Sequence, residues 1–172
     1  MPSDRLIEEI EKDVYIIYGQ KASSHVYLIH GEFKNVLIDT GLKGTFPRVV
    51  EALAQVGLKA SDIDLVICTH EHFDHVGGII FFSETALTAA HRFAATKIEL
   101  QDEYVVHSAI HGEDIIKTQF HIWLENRTLF DLGNYKLKIF HTPGHTSGCV
   151  CIMEPFHGFM FTGDTVFADG VI

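Results

Sequence analysis

The sequence predicts a layered α/β domain, and three features of the chain support this prediction. Short apolar runs rich in β-branched residues recur along the chain, as is typical of strands. Residues 45–56 place apolar side chains at helical spacing, which indicates an amphipathic helix packed on a sheet. Several of the apolar runs end in histidine or aspartate, so we expect a site at the edge of the sheet, where side chains can be held accurately.

Length and composition fit one globular domain, which we assign to residues 1–172. Hydrophobic residues make up 47% of the chain and charged residues 21%, as in ordinary soluble proteins. The net charge of −10 opposes binding to nucleic acid and to anionic membranes, and no apolar run has the length of a membrane span. The chain shows no signal-peptide pattern, and its three cysteines do not make a disulfide framework. We therefore expect a cytoplasmic protein with a small-molecule substrate, and a homodimer is left open.

The N-terminal part is predicted to form an antiparallel meander. Its strands are short, β-branched and separated by Gly, Lys and Glu, at residues 14–18, 25–30 and 35–39. Residues 5–12 fit either a short helical turn or a strand leading into the meander. Asp39 closes the third strand as a turn former or as a buried functional carboxylate, and the sequence leaves both roles open.

Helices and further strands are predicted to follow the meander. The helix at 45–56 has Pro47 in its first turn and Gly57 after its end, both of which favour helix boundaries there. A strand at 64–69 leads into a histidine-rich stretch. The next two elements, a strand and then a helix, are predicted at residues 85–90 and 91–101.

Residues 102–127 are predicted to form a surface excursion or a lid over the site, because binding determinants concentrate on such connections. The histidines of this segment have no ligand-type neighbour at a useful spacing, so we expect structural or solvated roles for them. We expect Trp123 to be a core residue, with a pocket-lining role as the alternative. Later strands are predicted as a pair within 129–140, and then at 149–153 and 159–162.

The stretch at residues 69–78 carries the strongest functional signal. Three histidines and an aspartate fall within six residues directly after an apolar run, at His70, His72, Asp74 and His75. Neutral imidazole and carboxylate oxygen together suit zinc, iron or manganese. Neither a strand nor a helix points these four side chains at one place, so the sequence predicts an irregular turn folded around a metal. A polar loop rich in histidine by chance does not explain four ligand-type residues followed by Gly-Gly.

Two more strands end in candidate ligands. His145 lies in the motif Thr-Pro-Gly-His-Thr and Asp164 lies in Thr-Gly-Asp-Thr. Because strand ends along one sheet edge are neighbours in space, both residues can meet the stretch around Asp74. Together with Asp39-Thr40-Gly41, the order of these motifs resembles the metallo-β-lactamase-fold hydrolase superfamily, and within it the glyoxalase II-like hydrolases. The resemblance implies an αββα four-layer sandwich.

The resemblance also implies a centre of two divalent metal ions, with zinc favoured and iron or manganese as alternatives. The implied ligands are His70, His72 and His145 for the first ion, Asp74 and His75 for the second, and Asp164 as a bridge. Asp39 would lie behind the ligands and orient one of the histidines. Asp74 would in addition be the catalytic residue that accepts or relays a proton.

The family pattern contains one further metal-binding histidine and closing helices after the bridging aspartate, so we expect that the C-terminal part of the domain lies outside this sequence. The implied reaction is hydrolysis of a small thioester or ester by a metal-activated water. The main alternative is a persulfide dioxygenase-like enzyme with one iron, held by residues matching His70, His145 and Asp164. A lactonase is disfavoured by Phe167, where those enzymes carry tyrosine, and a nuclease by the acidic charge.

Overall fold

The computed structural model describes residues 5–114 and 116–167, which form two β-sheets and a layer of helices. The larger sheet has strands in chain order: β1 Ile7–Glu11, β2 Val14–Ile17, β3 Val26–His30, β4 Asn35–Ile38, β5 Leu65–Ile67, β6 Leu87–His91 and β7 Ile122–Leu124. The smaller sheet has the order β11-β10-β9-β8, with β8 Leu129–Asp131, β9 Lys136–His141, β10 Val150–Glu154 and β11 Phe159–Phe161. The helices are α1 Phe46–Gln55, α2 Phe73–Val76, α3 Arg92–Glu99 and α4 Glu103–Val106. Single 3₁₀ turns lie at Lys43–Thr45, Ala60–Asp62, Ile79–Phe81, Ser108–His111 and Gly163–Thr165.

Strand direction changes across the larger sheet. Strands β1 to β4 are antiparallel, which confirms the predicted meander and shows that residues 5–12 form a strand rather than a helical turn. Strands β4 to β7 are parallel to one another. The carboxyl ends of β4 and β5 therefore lie side by side, and the chain leaves them at Asp39 and Cys68.

Both faces of the central strands are buried. Leu28 and Leu37 pack against the helices, whereas Ile29, Val36 and Ile38 pack against the smaller sheet. The sequence of a strand that is covered on both faces is a continuous apolar run, because neither face needs polar side chains. This explains the uninterrupted apolar character of these segments in the sequence.

The layers follow the order helices, larger sheet, smaller sheet. The predicted helix at 45–56 is confirmed as α1, and its residues Val49 and Leu53 are buried on the outer face of the larger sheet together with Ile98 of α3. The αββα architecture is thus present as three layers. A helical layer beyond the smaller sheet is not found within 5–114 and 116–167.

The segment 102–127 contains α4, a 3₁₀ turn and the edge strand β7. The prediction of a core position for Trp123 is wrong, since this side chain is 56% exposed. Leu124 points into the core between the sheets, so the alternation of the strand turns Trp123 to the opposite face, which is open to solvent at this edge. No helix in the described part of the chain is long and apolar enough to cross a membrane. Cys68, Cys149 and Cys151 are buried free thiols, as expected.

Candidate metal centre

The loop after β5 places the histidine-rich stretch at the carboxyl edge of the larger sheet. The strand ends at Ile67 and α2 begins at Phe73, with extended backbone at His72. Asp74 and His75 lie in the first turn of this short helix. The segment is therefore an irregular turn, as its spacing predicts.

Three histidines from both sheets form the first group of candidate ligands. His145 Nε2 lies 3.0 Å from His72 Nδ1. The ring centroid of His70 lies 4.8 Å from that of His72 and 5.1 Å from that of His145. One nitrogen from each of the three rings falls within 4.8 Å of the others. Since His145 follows β9 of the smaller sheet, a metal ion in this group would join the two sheets.

A second group shares His70 with the first. His70, His75 and Asp164 also offer ligand atoms within 4.8 Å of one another. His75 Nε2 lies 3.1 Å from Asp164 Oδ1 and 3.6 Å from Asp74 Oδ2. The other oxygen of Asp164, Oδ2, lies 3.6 Å from His145 Nε2. Asp164 thus faces both groups with different oxygens, which is the geometry that a bridging carboxylate needs.

The hydroxyl of Thr69, to which sequence reasoning assigned no role, sets the tautomer of His70. It donates a hydrogen bond to Asp39 Oδ2 at 2.7 Å, so toward His70 Nδ1 at 3.1 Å it can only accept. His70 Nδ1 therefore carries the proton, and Nε2 keeps its lone pair. Within the described residues, this buried Nε2 has no hydrogen-bond partner. A buried nitrogen lone pair aimed into a group of ligands fits a metal ion.

Asp39 lies directly behind the second group. It is 3% exposed, and its Oδ2 accepts a hydrogen bond from His75 Nδ1 at 2.8 Å. Its Oδ1 accepts the backbone N–H of Thr69 at 2.7 Å. The residue has φ of 59°, a left-handed conformation that aspartate tolerates better than most residues. Its carboxylate leaves His75 Nε2 facing Asp164, so Asp39 occupies the place expected of a residue that orients a ligand.

The electrostatics of the site favour added positive charge. Burial and the neighbouring His75 hold the pKa of His70 far below its usual range, and burial and His145 lower the pKa of His72 to about 4. Burial opposes a charge on His75, but Asp39, Asp164 and Asp74 outweigh it and raise its pKa to about 10. The three carboxylates therefore hold a cation in their midst even without metal. Neutral imidazoles beside such a cluster suit divalent ions.

The site has a closed side and an open side. His70 and His75 are 0% and 5% exposed, whereas the side chains of Asp74, Asp164 and His145 are 25%, 22% and 17% exposed. A cavity of about 790 Å³ lies against Asp74 and Asp164. A small molecule can therefore approach the ligands from the side of the two aspartates.

His107 lies beside a candidate ligand, and His141 lies at the end of β9, before the loop of His145. The ring of His107 lies 5.3 Å from that of His72, in a left-handed turn after α4. No local spacing signals this contact, because the two residues belong to distant segments. His141 stacks on His91 at 3.8 Å, and its Nε2 lies 2.9 Å from the carbonyl oxygen of Ser147. These contacts give His141 a structural role.

Several known proteins are similar in sequence to this chain. A probable metallo-hydrolase of Methanocaldococcus jannaschii is 38% identical over 155 residues, which are 89% of this chain and 72% of that protein. A human acyl-coenzyme A thioesterase is 24% identical over 90% of this chain and 62% of its own length. A hydroxyacylglutathione hydrolase of Maricaulis maris is 36% identical over 59% of this chain and 33% of its own. This chain thus spans less than two thirds of the latter two proteins.

The fold itself is found in solved structures. BJP-1, a subclass B3 metallo-beta-lactamase of Bradyrhizobium japonicum, superposes with a TM-score of 0.80 at 21% identity, covering 97% of this chain and 65% of that one. The family profile of the metallo-beta-lactamase superfamily matches residues 20–172. The chain belongs to the metallo-beta-lactamase superfamily.

Proposed function

We propose that this chain carries the centre of a dinuclear metal-dependent hydrolase that acts on a small thioester or ester. The observation that carries the proposal is that Asp164 faces His75 with one oxygen and His145 with the other, so its carboxylate lies between the two sets of candidate ligands. His70 has one free nitrogen, Nε2, and would bind only one of the two ions. Two cations held a few ångströms apart need a shared anionic ligand, and Asp164 is placed to be one. Zinc is the metal we favour, because imidazole and carboxylate donors suit it.

The proposed substrate class rests on the relatives. One is named an acyl-coenzyme A thioesterase and another a hydroxyacylglutathione hydrolase, so both act on acyl groups carried by a thiol compound. The cavity beside Asp74 and Asp164 leaves room for an acyl carbonyl to enter. A thioester is therefore the first substrate to test, and an oxygen ester the second.

In the proposed mechanism, Asp39 and Thr69 orient the metal-binding histidines, and Asp74 accepts one proton. Asp39 orients His75 and Thr69 orients His70, so that each ring is held in place at the centre, and His75 would give up its Nε2 proton on binding a metal ion. Two divalent ions bound there would supply Lewis-acid chemistry, which acidifies a water and polarises a carbonyl. Asp74 lies at the open rim with one oxygen 3.6 Å from His75, where its carboxylate can accept the proton lost by that water.

Metal content and hydrolysis test the proposal together. We expect two zinc or manganese ions per chain in the protein as isolated, and metal-dependent hydrolysis of model acyl thioesters. His72→Ala should remove one ion and most of the hydrolysis, because the three-histidine group loses a ligand. Asp164→Ala should weaken the binding of both ions, because one oxygen of Asp164 faces His75 and the other faces His145. Phe33→Ala, an exposed residue away from the centre, is the matched control.

Two results would count against the proposal. Full hydrolysis in His72→Ala or Asp164→Ala would rule out a mechanism that needs both groups. A single iron per chain, with oxygen consumption on thiol or persulfide substrates, would favour the dioxygenase-like alternative instead. The metal should therefore be measured by elemental analysis before any metal is added.

A further inference from the structure

Glu71 is a buried carboxylate between two candidate ligands that faces away from the metal centre. It is 0% exposed, and its Oε2 accepts a hydrogen bond from the hydroxyl of Thr146 at 2.8 Å. Its Oε1 lies 2.5 Å from Lys97 Nζ of α3. Lys97 also contacts the hydroxyl of Ser147 at 2.6 Å. A carboxylate with no access to water needs such partners, because a buried unpaired charge is strongly destabilising.

These contacts lie one residue from the candidate ligands on both sides. Glu71 stands between His70 and His72 in the chain, and Thr146 directly follows His145. The first two histidines belong to the loop after β5 in the larger sheet, and His145 to the loop after β9 in the smaller one. Glu71 is therefore a direct link between the two loops that must meet to form the three-histidine group.

The backbone at Gly148 shows how closely the two layers approach at this link. A Cβ at Gly148 would lie 2.4 Å from Glu71 Oε2 and 2.6 Å from the Cβ of Ala94 in α3. No side chain fits there, so the loop after β9 lies directly on α3 and on the Glu71 carboxylate. The link is thus packed on all sides by the helix, the ligand loop and the loop of His145.

We propose that Glu71 is a positioning residue that fixes His145 against His70 and His72 by binding Thr146 and Lys97. This inference rests on the proposed metal centre, since His145 has to meet the other two histidines only if they share an ion. The carboxylate is bound by Thr146 and Lys97, so it would not be a ligand of the ion. It acts through the two loops, and its loss should loosen the three-histidine group.

Zinc affinity and hydrogen exchange of the full chain test this role. In Glu71→Ala, we expect the apparent zinc Kd, measured by competition with a chelator, to rise about 10- to 100-fold, the usual effect of removing a residue that supports a ligand. Amide exchange of residues 142–149 in the metal-free protein should become faster. Thr146→Val removes the hydrogen bond between Thr146 and Glu71 without leaving Lys97 unpaired. In this variant, too, the zinc Kd should rise and the amide exchange of residues 142–149 should become faster.

Asp64→Ala is the matched control. Asp64 also pairs a carboxylate with a lysine, Lys34 at 2.7 Å, and with the backbone N–H of Asn35, but it lies before β5, at the end of that strand opposite the ligands. Asp64→Ala should lower the stability of the fold and leave the zinc Kd and the amide exchange of residues 142–149 unchanged.

Three outcomes would overturn the inference. Unchanged zinc Kd and exchange in both Glu71→Ala and Thr146→Val would show that the loops meet without the link. Equal changes in Asp64→Ala would show a general loss of stability. A wild-type protein that binds no zinc, manganese or iron would overturn the proposed function and the inference with it, and this result is recognised before any variant is made.

Discussion

The carboxylate of Asp39 and the hydroxyl of Thr69 orient two candidate ligands. Asp39 accepts from His75 Nδ1 and from the Thr69 hydroxyl, and the hydroxyl in turn accepts from His70 Nδ1. Both imidazoles are thereby oriented before any metal arrives. Such supporting contacts raise metal affinity because less reorganisation is needed on binding.

At the scale of the residue, we predict that Asp39→Asn keeps the fold of the turn but weakens zinc binding. Asparagine tolerates the left-handed backbone of this position, so the turn should be kept. Its side chain cannot accept from the Thr69 N–H, the Thr69 hydroxyl and His75 Nδ1–H together, so His75 loses the charged partner that orients its ring. We expect the second zinc ion to bind about 10- to 100-fold more weakly, as measured by chelator competition.

Asp131→Asn is the control for this variant, since it removes the same charge from a side chain that is 56% exposed and distant from the centre. It should leave both zinc affinities at the wild-type values. Tight binding of two ions by Asp39→Asn would show that the orientation of His75 does not depend on this carboxylate.

At the scale of elements, the loop after β9 lies against α3 at Gly148. Gly148 allows this contact, because any larger residue would overlap Glu71 and Ala94. Gly144, in the same loop, has no atom within 4 Å of the position of its Cβ. The loop therefore needs glycine at position 148, where there is no room for a side chain, but not for this reason at position 144.

We predict that Gly148→Ala destabilises the protein by about 1–3 kcal/mol, the usual cost of overpacking a tight contact. Gly144→Ala should change the free energy of unfolding by less than about 0.5 kcal/mol, as for an open surface position. Denaturant unfolding of both variants measures the difference. Equal stabilities would mean that the loop moves away from α3 without cost.

At the scale of the whole molecule, the candidate centre lies where the two sheets meet. His70, His72 and His75 come from the larger sheet, and His145 and Asp164 come from the smaller one. The core between the sheets is apolar, with Ile38, Ile67 and Ile152 among its buried residues. A metal ion that takes ligands from both sheets should hold them together in addition to this core.

We therefore predict that zinc stabilises the fold. An ion that binds only the native state adds about 2.7 kcal/mol when its free concentration is 100 times its Kd. The Tm should rise with added zinc and fall after chelation. In His145→Ala most of this increment should disappear, because the smaller sheet loses its imidazole.

His30→Ala is the control for this experiment, because His30 is an exposed histidine bonded to Asn35 at the end of β3. It should retain the full zinc-dependent rise in Tm. A rise of wild-type size in His145→Ala would show that zinc does not bind between the sheets.

Local pattern explains which parts of the fold were predicted. The meander, α1 and the turn at 69–78 follow from the spacing of apolar residues and from the residues at the element ends, which depend on near neighbours in the chain. Trp123 was mispredicted because its exposure depends on which face of an edge strand the other layers cover. The cytoplasmic location, the substrate and the oligomeric state stay predictions.

The sequence by itself determined the family, the layered fold and the candidate ligands, because each ligand ends an apolar strand in a distinctive motif. Only the tertiary structure shows how close these residues lie and what supports them. It showed that His70 belongs to two groups, that Thr69 sets its tautomer, and that Glu71 binds Thr146 from 75 residues away. Such contacts depend on strand register and on how the sheets pack, and neither quantity is encoded in the spacing of nearby residues.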